Sequence, residues 1–176
     1  VGNLHYGMML PSGNDAARVL ADNFLPAGRQ APGGIDNFVA AMNEKAKEFE
    51  LENTKFIDPD GYDDANYTTA FDLARLAARA FKNKTFAKIV ATRQIVVTDT
   101  TGKIVHNLRN LNELLGMQGV SGIKTGFTDE AGGVLVTSIV QGGRTYIIVV
   151  LNSQDRFSDT KNVIYEGLQK IRLLFY

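Results

Sequence analysis

The chain has no cysteine, so no disulfide can staple it and no thiolate can serve as nucleophile or metal ligand. It has only two histidines, His5 and His106, far apart in sequence. A structural zinc site, which needs four clustered nitrogen or sulfur donors, is therefore not expected. Neither sign of charge is in excess: 19 Lys and Arg balance 19 Asp and Glu. That balance argues against nucleic acid or an anionic membrane surface as partner. No apolar run approaches the roughly 20 residues that a membrane-spanning helix requires. What is present is ordinary globular material. Apolar residues make up 44% of 176 positions, enough for one domain with a real core.

The first residues, VGNLHYGMML, read as the middle of a packed helix, with Val1, Leu4, Met8 and Met9 on one face. So abrupt a start suggests a piece of a longer polypeptide. Pro11 ends that helix, and Asn14 or Asp15 is expected to cap a second over AARVLADNF. PAGRQAPGG, residues 26–34, reads as a loop. Ile35, Phe38, Val39, Met42, Ala46 and Phe49 then recur at helical spacing. After an irregular stretch rich in Asp and Gly, Thr69 and Asp72 resemble a capping box. It opens a helix with Phe71, Leu73, Ala74, Leu76, Ala77, Ala80 and Phe81 on its apolar face. A short helix near TFAKIVA follows.

RQIVVTD and KIVHNL flank Thr100-Thr101-Gly102 as a hairpin, and GVSGIKTG, GVLVTSIVQ and TYIIVVLN read as three more strands. Gly142-Gly143 joins the last two. TYIIVVLN is apolar on both faces and is expected to be central in its sheet. Ser158 is expected to cap a final helix carrying Val163, Ile164, Leu168, Ile171, Leu174 and Phe175. Helices, then antiparallel strands, then a helix make an α+β domain, with a helical region beside the sheet and the terminal helix covering one face.

Two short motifs carry the chemistry. PSGNDA at 11–16 contains Ser12-Gly13-Asn14, and GIKTGFTDEAG at 122–132 contains Lys124-Thr125-Gly126. Taken alone, the first is a helix-cap sequence and the second a common tripeptide. Together, in this order, they resemble the S-x-N and K-T-G motifs of the penicillin-recognising serine acyltransferases. YGMMLPSGNDAARVLAD, FVAAMNEKAKEFELENTKFIDPDG, YTTAFDLARLA and GIKTGFTDEAGGVLV extend the likeness over nearly the whole chain. The resemblance is to the D-alanyl-D-alanine carboxypeptidases, the low-molecular-weight penicillin-binding proteins. It implies a β-lactamase/transpeptidase-like fold, of which residues 1–176 form the C-terminal larger part of one catalytic domain, incomplete at its N-terminus.

The family's nucleophile is the serine of S-x-x-K. Here two serines have a lysine three positions on: Ser121, whose lysine is Lys124 itself inside a strand, and Ser158, whose lysine is Lys161 in the final helix. Both lie downstream of Ser12-Gly13-Asn14, whereas the family's S-x-x-K lies upstream of that motif. The nucleophile and its lysine are therefore expected outside these residues, on an upstream segment or a swapped partner chain. Without that segment the chain is expected to be inactive and to fold poorly. By resemblance, Ser12 relays a proton between the absent lysine and Lys124, and Asn14 bonds the substrate backbone or that lysine. Lys124 and Thr125 face the terminal carboxylate of the substrate. Gly126 lets substrate lie close along the strand, and the Phe127 N–H is one oxyanion donor. Ser121 and Gly122 keep the approach to that strand small.

The implied substrate is a peptidoglycan pentapeptide ending in D-Ala-D-Ala, with β-lactams as mimics, no cofactor or metal, and an extracytoplasmic location. Arg156 reads as a surface cap residue rather than a carboxylate ligand. Gly133, where relatives carry larger side chains, leaves substrate side-chain preference open. Two alternatives stand beside this reading: a β-lactamase, with Glu48, Glu50 or Glu52 as deacylating base, and a non-catalytic peptidoglycan-binding or regulatory module.

Overall fold

The computed structural model describes residues 1–24 and 33–173, with the backbone alone from 168 to 173. The expected loop at 26–34 therefore falls almost wholly outside it, as do Leu174, Phe175 and the side chains of Leu168 and Ile171. Five helices come first: α1 (Gly2–Met9), α2 (Asn14–Asp22), α3 (Gly34–Glu48), α4 (Ala70–Ala80) and α5 (Lys84–Val90). A hairpin follows, β1 (Gln94–Thr98) with β2 (Val105–Arg109). Strands β3 (Val120–Thr128), β4 (Gly132–Gln141) and β5 (Arg144–Ser153) form a separate antiparallel sheet in the order β3-β4-β5. Helix α6 (Arg156–Leu173) closes the chain. The α+β expectation holds.

Each face of the three-stranded sheet is covered by helix. On one side Ala77, Val90, Ile123 and Val136 form a buried cluster, flanked by Leu73, Phe86, Ile147 and Val149. On the other, Ile164 of α6 meets Ile139 and Ile148. Strand alternation distributes Ile147 and Val149 to the first cluster and Ile148 to the second. This explains why TYIIVVLN is apolar on both faces. Among the described residues β5, packed between α4 and α6, pairs with β4 alone, and β4 is the middle of the three strands, so a central place for β5 requires a strand outside these residues.

Several local expectations change through tertiary contacts that a linear pattern does not carry. Val1 is exposed rather than packed, and the buried anchor at this end is Leu10. The N-cap of α2 is Gly13, while Asn14 and Asp15 open the helix. Gly13 is required there, since a Cβ would lie 2.9 Å from the Gly7 carbonyl oxygen, whose bond from the Gly13 N–H closes the turn. Thr69 does cap α4, accepting from the Asp72 N–H at 3.2 Å. Asp72 does not reciprocate; its buried carboxylate accepts from the Asn53 N–H and the Thr54 hydroxyl. Phe71 stands exposed beneath the Arg75 guanidinium rather than on the apolar face. The first turn of α6 is capped by Asp155, which accepts from the Ser158 N–H at 3.0 Å, so Ser158 lies inside the helix. Both residues are good caps.

Candidate active site

The α1–α2 turn and strand β3 bring the two motifs together. The Lys124 ammonium donates to the Ser12 hydroxyl at 2.6 Å and to the Thr125 carbonyl at 2.5 Å. Ser12 reaches this position only by adopting φ 61°, the left-handed region. For a residue with a Cβ that conformation costs roughly 1–2 kcal/mol, and such strain concentrates at functional sites. The turn therefore holds a serine hydroxyl against a lysine at a standing local cost.

Burial of the Lys124 ammonium, with the nearby Arg156 guanidinium adding repulsion, lowers its pKa to about 8. Neither cation has a carboxylate partner among the described residues. Arg156 opens α6 with its side chain partly buried, and its Nε is buried without a hydrogen-bond partner. Arg156 thus lies in the cap region of α6, as expected, but with its Nε turned inward and unpartnered. Two mutually repelling cations, neither neutralised by a described carboxylate, favour a negative group beside them.

Gly133 lies against the β5–α6 junction that carries Arg156. A Cβ there would lie 2.6 Å from the Ser153 carbonyl oxygen and 3.4 Å from the Arg156 Cβ. Its bareness serves the packing of the β5–α6 junction against β4, not a substrate side chain. Gly122 is corrected likewise: at φ 113° its missing Cβ clears the Val90 carbonyl of α5 by close approach, rather than keeping a substrate path small. The sequence pattern carried no signal for either role, since each is fixed by a residue far away in the chain.

The remaining expected residues are arranged around the Ser12–Lys124 contact. Asn14 is exposed in the first turn of α2, so its amide is free to meet a ligand. Thr125 is buried, and Phe127 is exposed. Strand β3, including Gly126, pairs only with β4 among the described residues, leaving its outer edge open. An open edge is a template for an extended peptide. Asp60, without a role from sequence, has a buried side chain that accepts from the Arg18 Nε of α2 at 2.9 Å, fastening the loop before α4 to the helix that carries Asn14. Glu48 and Glu50 pair with Lys45 and Arg75 in exposed contacts, as a solvated surface would.

The family model for D-alanyl-D-alanine carboxypeptidases matches residues 1–155. The chain belongs to that family. The D-alanyl-D-alanine carboxypeptidase of Streptomyces sp. strain K15 is 39% identical over 176 residues, covering 95% of this chain and 60% of that protein. The D-alanyl-D-alanine carboxypeptidase DacF of Bacillus subtilis is 35% identical over 149 residues, covering 84% of this chain and 36% of that protein. The chain thus spans less than two thirds of the length of these relatives. Among solved structures, the Streptomyces K15 DD-transpeptidase superimposes with a TM-score of 0.86 at 37% identity, over 96% of this chain and 68% of that one. Penicillin-binding protein D2 of Listeria monocytogenes, solved in its cefotaxime-bound form, gives 0.78 at 30% identity over 94% of this chain and 65% of that one. The β-lactamase/transpeptidase-like fold is thereby established.

Proposed function

We propose that these residues form the proton-relay and carboxylate-binding part of a serine-type D-Ala-D-Ala carboxypeptidase acting on peptidoglycan stem peptides outside the cytoplasm. The observation that carries the reading is the 2.6 Å contact between Lys124 and Ser12, half-buried and without an acidic partner. The nucleophile is a serine of an S-x-x-K segment upstream of the S-x-N motif; the two S-x-x-K spacings in these 176 residues, Ser121–Lys124 and Ser158–Lys161, both lie downstream of it.

The substrate enters as an extended strand on the open edge of β3, its terminal carboxylate against Lys124, the Thr125 hydroxyl and Arg156. Gly126 permits the close approach, and the amide of Asn14 bonds the peptide backbone. The serine oxygen attacks the carbonyl carbon of the penultimate D-alanine, and the S-x-x-K lysine takes the hydroxyl proton. The carbonyl oxygen becomes an oxyanion, held in part by the Phe127 N–H. As the C–N bond breaks, Ser12 donates its proton to the departing amine nitrogen and is reprotonated from the lysines it bridges. Free D-alanine leaves, and the acyl group stays on the serine as an ester. Water then attacks that ester, giving the shortened peptide and the free serine. β-Lactams follow the first half of this course.

The test is intact-mass analysis of the protein carrying both this chain and its S-x-x-K segment after penicillin treatment, beside an assay of D-alanine release. A single adduct on the S-x-x-K serine together with D-alanine release is expected. Absence of both would overturn the reading.

A further inference from the structure

The segment between β2 and β3 belongs to neither motif, yet it joins the elements that carry them. Ser12 follows the end of α1, and Lys124 lies on β3. Helix α5 packs against both α1 and β3. Its last residue, Val90, is fully buried in a cluster with Ile123, the neighbour of Lys124, and Met9 of α1 packs on that cluster. The frame from Ser12 to Lys124 thus runs from the end of α1, through the end of α5, to β3.

Both helix ends leave carbonyls that the helix itself cannot pair. Residues 110 and 111 supply the missing donors. The Leu111 N–H donates to the carbonyl of Leu10, two residues before Ser12, at 3.1 Å. The Asn110 side-chain amide donates to the Val90 and Thr92 carbonyls, each at 3.1 Å. The Asn110 backbone N–H donates to the Arg93 carbonyl at 2.8 Å. The Asn110 side-chain oxygen accepts from the Asn112 N–H at 2.9 Å, closing a turn over Leu111. Both amide hydrogens and the amide oxygen of Asn110 are thereby engaged, which fixes the side chain in one orientation. The Val90 carbonyl is also the atom that a Cβ on Gly122 would meet, at 2.7 Å. Asn110 therefore holds the same carbonyl against which β3 approaches Lys124.

We infer that Asn110 is a positioning residue for acyl transfer: it sets Ser12 against Lys124 by fixing the ends of α1 and α5 to one another. It acts through Ser12 and not on the substrate. Thr125 and Arg156, which meet the substrate carboxylate in the proposed function, lie on β3 and α6, away from the end of α1. Loss of Asn110 therefore displaces Ser12 relative to the bound peptide and leaves the carboxylate contacts in place. The proton relay slows, and binding is kept. The inference rests on the proposed D-Ala-D-Ala chemistry, which makes Ser12 the relay.

The test uses the protein carrying this chain and its S-x-x-K segment, with D-alanine release from diacetyl-L-lysyl-D-alanyl-D-alanine giving kcat and KM. Asn110→Ala removes every side-chain bond. Asn110→Ser keeps an oxygen that can accept from the Asn112 N–H, and so keeps the local turn, but lacks the paired amide donors to the end of α5. In both variants kcat is expected to fall about tenfold with KM within about twofold, because a small misplacement at a reacting centre costs at least that much. Where Asn110→Ala does not fold, Asn110→Ser decides alone. In a Ser12→Ala background, Asn110→Ser should lower kcat no further, since the group it acts through is gone. Asp72→Ala is the control: it removes buried hydrogen bonds far from this segment and should keep kcat while losing stability. A kcat for Asn110→Ser equal to that of the unaltered protein would overturn the positioning role. So would an undiminished fall in the Ser12→Ala background, or an equal fall in Asp72→Ala, either of which marks Asn110 as a residue of the fold alone. No D-alanine release from the unaltered protein would overturn the carboxypeptidase reading on which the inference rests.

Discussion

The loop before α4 and the seam between Ser12 and β3 treat buried polar groups in opposite ways. In the loop the chain itself satisfies nearly all of them, the exception being Asp60, whose Oδ2 takes the Arg18 bond while its Oδ1 is buried without a partner. Asp58 accepts from the N–H groups of Gly61, Tyr62 and Asp63 and from the Asn66 amide. Burial pushes the Asp58 carboxyl upward, but those hydrogen bonds outweigh it and hold its pKa below the ordinary value. Asp72 is tied in the same fashion to Asn53 and Thr54. At the seam the reverse holds: a left-handed serine, a desolvated ammonium and a buried guanidinium Nε without a partner stand together. One region uses its polar groups to hold its own shape, and the other keeps them available for a ligand. Stability and function are thus separable on this small domain.

That separation can be broken most forcefully at Ser12. Ser12→Ala removes the relay hydroxyl and is expected to lower D-alanine release by about a hundredfold or more in the protein carrying its S-x-x-K segment. Its thermal midpoint should hold or rise, because the substitution leaves no polar group of the loop unsatisfied. A comparable loss of both activity and midpoint would show that the seam is structural after all.

Asp72→Ala should do the opposite. It leaves the Asn53 N–H and the Thr54 hydroxyl without their acceptor, at a cost of about 1–3 kcal/mol in denaturant unfolding. An unchanged unfolding midpoint would remove the loop's side of the contrast. Gly133→Ala is a milder intrusion. Its Cβ must displace the Ser153 carbonyl and with it Arg156, so substrate KM should rise several-fold while kcat changes less. Equal falls in both kcat and kcat/KM would place Arg156 in the chemical step instead.

The smallest effect is expected from pH. The Lys124 pKa is depressed to about 8 by burial and by Arg156, so the unfolded chain binds more protons than the folded one between about 8 and the ordinary lysine value of 10.5. Stability carried by this group therefore rises with pH across that window, and the penalty of burying the ammonium is complete below it. Lys124→Met should flatten this part of the profile and raise stability at neutral pH. The loop's Asp58 behaves in the opposite sense. Its depressed pKa contributes stability above the ordinary carboxylate value, lost as pH falls through the folded value. Chemical denaturation of both proteins at a series of pH values measures both slopes.

Much of this contrast was readable in the sequence, and the unreadable part has a physical reason. Ser12, Asn14 and the Lys124–Gly126 strand were found because their order and the four surrounding blocks resemble a family. The helices and hairpins followed from apolar periodicity and from Gly-rich turns. The packing of Gly133 and Gly122 went unread because each is fixed by a carbonyl distant in sequence, that of Ser153 and that of Val90. The double-sided apolarity of β5 was seen correctly, and the helices on its two faces account for it.

The seam as an acyl-transfer site is tested most directly by the rate of penicillin acylation against pH, measured by intact mass on the protein carrying its S-x-x-K segment. In the unaltered protein the rate should fall as pH rises through about 8, where Lys124 loses its proton. In Lys124→Ala the rate should be lower by about a hundredfold, the loss of one charge-assisted contact in the transition state. The fall near pH 8 should then be absent. Equal rates for the two proteins, with the same dependence on pH, would contradict a catalytic role for Lys124 and for its contact with Ser12.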